Sequence, residues 1–71
     1  MNVTTLKFKR QGAGSYIAAS GNYTVTIEKQ WGNWLGEVRD EHGNLMFEDN
    51  YYTYANAKTF LDSTVQGFNK Q

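Results

Sequence analysis

This chain of 71 residues has no cysteine, no proline, a single histidine and no net charge at pH 7, with seven Lys and Arg against seven Asp and Glu. Without cysteine, neither a disulfide nor a thiolate-bound metal reinforces the fold. His42 stands between Glu41 and Gly43 in a turn-like stretch, with no second imidazole to complete a metal site. As the single histidine it would have to serve any Ser/His chemistry, and Ser15 and Ser20 have no base within a plausible constellation. A balanced charge weighs against a general nucleic-acid binder, which carries excess cations. No stretch is long and apolar enough to span a bilayer, and no apolar run precedes Lys7 and Lys9. The expectation is a soluble, cytoplasmic protein with no cofactor and no metal. Repeats, low-complexity tracts and linkers are also missing, so residues 1–71 read as a single domain.

Two familiar chemistries are also missing. Gly12-Ala-Gly14 lacks the third glycine and the strand–helix setting of a dinucleotide loop, and reads as a bend. Glu37, Asp40, Glu48 and Asp49 could supply paired carboxylates for sugar chemistry. A chain this short has no deep cleft to raise the pKa of one of them. The reading is a non-enzymatic protein.

Aromatics and alternation are what the chain has. Two Trp, five Tyr and four Phe are the obvious source of packing energy in so small a domain. Residues 3–9 read as a first strand, with Leu6 and Phe8 inward and Lys7 and Lys9 outward. After the glycine bend, residues 15–19 read as a short return strand with Tyr16 and Ala18 on one face. Residues 23–29 place Tyr23, Val25 and Ile27 on one face and Thr24, Thr26 and Glu28 on the other. Trp34, Gly36 and Val38 share a face of the next strand, and the glycine leaves room for a helix to approach. Asp40-Glu-His-Gly-Asn44 is a turn with Gly43 in the left-handed conformation, and residues 45–48 close the meander. Thr53 caps a helix with the stripe Ala57, Phe60, Leu61, Thr64, Val65 and Phe68, and Gly67 is placed to stop it. The fold class is α+β: an antiparallel meander of four to five strands packed against one C-terminal helix.

Charge is unevenly spread along the chain. Residues 1–30 carry Lys7, Lys9, Arg10 and Lys29 against Glu28 alone. Residues 31–50 carry Glu37, Asp40, Glu41, Glu48 and Asp49 against Arg39 alone. Either the molecule has a basic end and an acidic end, or these are scattered solvated charges. Trp31, Tyr51 and Tyr52 fall outside the helix-facing pattern, in stretches read as loops. There they either anchor a partner or fold over the edge of a small core. With Glu48 and Asp49 beside the tyrosines, the cluster suits a basic protein surface and repels phosphate.

Residues 23–62 resemble the AP2/ERF-type DNA-binding domain and the integrase arm-binding domains. Trp31-Gly-Asn-Trp34 is similar to the family's Trp-Gly-Lys-Trp, and Gly36-Glu-Val-Arg-Asp40 to its Ala-Glu-Ile-Arg-Asp. Tyr51-Tyr-Thr53, with Ala57, is similar to the Phe-Asp-Thr element and the helix alanine that follows. The resemblance implies a three-stranded sheet with one helix, reading the major groove from the open sheet face through Lys29, Trp31 and Arg39, with Glu37 at a further contact position. Thr24, Ile27 and Leu45 stand where the family has arginines, and Phe47 where it has a tryptophan. Arginine's forked guanine readout is lost at those positions.

The helix entry Thr53-Tyr-Ala-Asn-Ala-Lys58, after a glycine-punctuated sheet, is also similar to a loose group of small phage and mobile-element proteins. That group includes stand-alone inhibitors of host defence, anti-CRISPR proteins among them. The resemblance implies a protein that binds a host protein or protein complex, such as a defence nuclease. A chain this small reads as a monomer or a homodimer, and a third, structural reading is a homodimer that pairs edge strands and carries no further ligand. Trp31, Glu48, Asp49, Tyr51 and Tyr52 are the expected partner contacts, and DNA binding through the sheet is the alternative.

Overall fold

In the computed structural model, which describes residues 6–70, five strands precede one helix. They are β1 (Lys9–Gly12), β2 (Ser15–Ser20), β3 (Tyr23–Lys29), β4 (Trp34–Arg39), β5 (Leu45–Tyr51) and α1 (Tyr54–Asn69). All strands pair antiparallel in chain order, giving one five-stranded sheet with β1 and β5 as its edges.

Alternation decides which face is covered. Ala18, Val25, Ile27 and Val38 point to one side and are buried beneath Ala57, Leu61 and Val65 of the helix. Gly36 lies in this layer beneath Leu61, so the helix comes closest where the sheet has no side chain. Thr53 opens the helix by accepting the N–H of Asn56 at 3.0 Å. Rings seal the margins of the core. Tyr54 lies 4.3 Å from Tyr16 between ring centroids, 5.6 Å from Trp34 and 6.3 Å from Phe8. Tyr23 stacks on Phe68, and Tyr51 stacks on Phe60.

The register draws two rows straight across the sheet. Lys9, Ile17, Thr26, Glu37 and Glu48 are successive partners on the open face. Arg10, Tyr16, Ile27, Gly36 and Asp49 are successive partners on the helix face. Bulges interrupt both edges, between Arg10 and Gly12 on β1 and at the β5 partner of Val38 and Arg39.

Four expectations need correction. The first strand runs over Lys9–Gly12, not residues 3–9, of which 3–5 lie outside the described residues. Leu6 and Phe8 alternate inward because they pack under the helix: Leu6 is buried, and its N–H reaches Asp62 Oδ1 at 3.4 Å. The bend begins after Gly12, with the positive φ of +70° at Gly14. The last strand extends through Asp49, Asn50 and Tyr51, which pair with Gly36, Leu35 and Trp34. Gly67 does not end the helix, which runs on to Asn69 and closes with the Lys70 N–H bonded to Gly67 O and Phe68 O.

Candidate functional site

Trp31 and Gly32 form the tip of the β3–β4 hairpin, closed by the Gln30 N–H donating to Asn33 O at 2.8 Å. The reversal depends on Gly32, at φ +74°. It leaves the Trp31 side chain fully exposed, at 100%. Trp34 pairs with Tyr51, so this hairpin tip lies at the same end of the sheet as the β5–α1 junction. That junction carries Tyr52, 88% exposed.

Between them lies a depression of ≈ 390 Å³ lined by Asn33, Asn50, Tyr51, Tyr52, Asn56 and Phe60. The stacked Tyr51–Phe60 pair forms its aromatic wall, with centroids 5.8 Å apart. Phe60 is 58% exposed, although the helical stripe assigned it inward. It missed the core because Leu61, one position on, occupies the space above Gly36. Burial first, and then the charge of Asp49, pushes the Tyr51 hydroxyl above its ordinary pKa. It stays a neutral donor at physiological pH.

The expected contact residues therefore separate into two groups. Tyr51 and Tyr52 line the depression, and Trp31 lies at the same end of the sheet but outside it, with Lys29, Gln30 and Gly32. Glu48 and Asp49 sit one to two turns of the pleat away along β5, on opposite faces: Glu48 faces Glu37 across the open side, and Asp49 pairs with Gly36 on the helix side. Phe60, Asn33 and Asn56 belong to the aromatic end and were not legible, because the β3–β4 hairpin and the helix meet only in three dimensions.

Of the residues expected to contact DNA, Lys29 and Trp31 line one shallow hollow at the hairpin tip with Gln30 and Gly32, and Arg39 lies apart from them. Lys29 lies on the helix face with its Nζ 5.2 Å from the Trp34 ring centroid. Arg39 lies on the open face at the other end of the β3–β4 ladder, where Thr24 is its partner, about 17 Å along the strands. It is held by Glu37 Oε1 and Gly43 O, both at 3.2 Å. Glu28, Glu37 and Glu48 share that open face.

The Asp40 turn serves the fold. Its Oδ1 accepts the N–H groups of His42 and Asn44 at 2.9 Å, and its Oδ2 accepts the Asn44 amide at 3.1 Å. The Asn44 N–H is the main cause of a carboxyl pKa held below its ordinary value. Gly43 has the expected left-handed φ, at +85°. Among the described residues, no group of three or more His, Cys, Asp and Glu is placed to hold a metal ion. No described helix is long and apolar enough to cross a membrane. No protein-family model, curated protein or solved structure matches the chain.

Proposed function

We propose that this is a non-enzymatic binding protein of phage or mobile-element type, which docks on a host protein or protein complex through its aromatic end. The observation that carries the reading is two almost wholly exposed rings at one end of the sheet: Tyr52, which lines the Tyr51–Phe60 depression, and Trp31, at the β3–β4 hairpin tip beside it. Aromatic side chains left in water at one spot are typical anchors of protein interfaces, where they bury large areas at low entropic cost. The carboxylates of Glu48 and Asp49 bias the partner toward basic surfaces. The specific version, inhibition of a defence nuclease, rests on the resemblance to small phage accessory proteins.

The alternative is duplex DNA on the open sheet face. Arg39 supports it, whereas Glu28, Glu37 and Glu48 on the same face oppose phosphate. Two experiments separate the readings. Fluorescence anisotropy of a labelled duplex at low salt should stay flat up to about 100 μM protein, where non-specific binders respond. Cross-linking from a bacterial lysate should retain a protein that the doubly substituted Trp31→Ala, Tyr52→Ala chain loses. Equal retention of every captured protein by both chains would remove the aromatic end from the reading.

A further inference from the structure

From the cross-sheet register we infer that the molecule associates with copies of itself edge to edge, the β5 strand of one copy lying parallel to the β1 strand of the next. The two rows that begin on cations at β1 end on acids at β5: Lys9 and Glu48 bound the open-face row, and Arg10 and Asp49 bound the helix-face row. Translating a copy along the sheet therefore sets Lys9 beside Glu48 and Arg10 beside Asp49, with both helices on the same side.

Strand direction agrees with this arrangement. In an antiparallel meander of five, the first and last strands run the same way, so a translated copy presents β1 parallel to β5. A two-fold axis would instead pair β5 with β5 or β1 with β1. The first brings Glu48 and Asp49 against their own kind, and the second does so for Lys9 and Arg10. Like charges on facing strands are unfavourable, whereas opposite charges contribute.

The isolated chain also leaves these four groups unbalanced. None of them is in an ion pair among the described residues. Glu48 lies directly opposite Glu37, a like-charge pairing, and among the described residues the ion pair of Arg39 is with Glu37 and not with Glu48. A lysine arriving on the outer side of Glu48 would relieve it. Zero net charge adds no general repulsion between copies. Such a head-to-tail interface is heterologous, so it builds a ring or an open filament and does not stop at a dimer. It leaves Trp31 and Tyr52, beyond the strand ends, uncovered, while it takes up Glu48 and Asp49 and brings Gly12 of the next copy beside Tyr51; it rests on the register and not on the partner proposed above.

The test is sedimentation velocity of the full chain over a concentration series, at about 20 mM and about 500 mM salt. Two charge-reversed chains are compared, Lys9→Glu with Arg10→Glu and Glu48→Lys with Asp49→Lys, each checked for folding by circular dichroism. The parent chain should grow beyond two copies with concentration at low salt and return toward the monomer at high salt. Each reversed chain alone should stay monomeric, and their equimolar mixture should associate, since every edge then meets its opposite. A parent mass that ignores concentration and salt, or that levels off at two copies, overturns the inference. So does a mixture of folded reversed chains that stays monomeric. The parent series decides the matter even where a reversed chain does not fold.

Discussion

Leu61 packs directly onto the bare Cα of Gly36: a Cβ at that position would come within 2.5 Å of Leu61 Cδ1 and 3.1 Å of a Tyr51 ring carbon. The same glycine thus seats the helix and sets the position of a ring at the candidate site. Gly36→Ala should destabilise by about 1–3 kcal/mol, the usual cost of overpacking. Denaturant midpoints would register it, and an unchanged midpoint would contradict the contact. Ala57, wholly buried, should likewise reject a larger side chain such as leucine.

Tyr51 and its neighbours should part company under substitution. Trp31→Ala and Tyr52→Ala, at exposed positions, should leave stability within about 0.5 kcal/mol while weakening partner capture. Tyr51→Ala removes the ring stacked on Phe60 and should cost about 1–2 kcal/mol as well. Equal stability losses for all three would mean that Trp31 and Tyr52 are structural.

Gly67 lies in a continuous helix, and a Cβ there would meet nothing within 4 Å. Gly67→Ala should therefore stabilise the chain by about 0.5–1 kcal/mol, the helical preference of alanine. A helix that truly stopped at this glycine would lose stability on the same substitution.

Acid should weaken the Asp40 turn. The carboxyl pKa is lowered in the folded chain, chiefly by the Asn44 N–H, so its contribution is present above the unfolded value near 3.8. It is lost as pH falls through the folded value, because the unfolded chain then binds the proton first. Denaturation of the parent chain and Asp40→Asn at neutral pH and below this window should show the stability gap between them closing on acidification. A gap independent of pH would remove the charge from the account.

Tyr54 carries the opposite sign. Burial, with a smaller effect of Tyr16, raises its hydroxyl above 10.0, so its contribution is complete below that value and lost as pH rises through the folded one. Alkaline titration followed by tyrosinate absorbance should show Tyr51 and Tyr54 ionising late in the parent, and Tyr54→Phe should lose one of these two late steps.

Residues with a clear period were legible in the sequence. The limits of β3 and β4 fall where β-branched and aromatic residues alternate with polar ones, and the Thr53 cap has its usual form. Leu6 and Phe8 alternate as well, but they answer to the helix and not to a strand partner, so periodicity misplaced β1. Asp49 and Asn50 are poor strand formers, held extended by pairing with β4. At the candidate site, Trp31 and Tyr52 could be picked out as aromatics without a core role. Phe60 could not, because which side of a helical stripe turns outward depends on what lies beneath it.

The strand order has a kinetic consequence. Since each strand pairs only with its neighbours in the chain, the sheet can assemble hairpin by hairpin, each step closing a short loop. The docking of Leu6 onto Asp62, 56 residues apart, is the most distant of the hydrogen bonds described and closes the largest loop. Refolding should therefore be fast for a sheet protein. The tie between the N-terminal segment and the helix should form after the meander, and open before it.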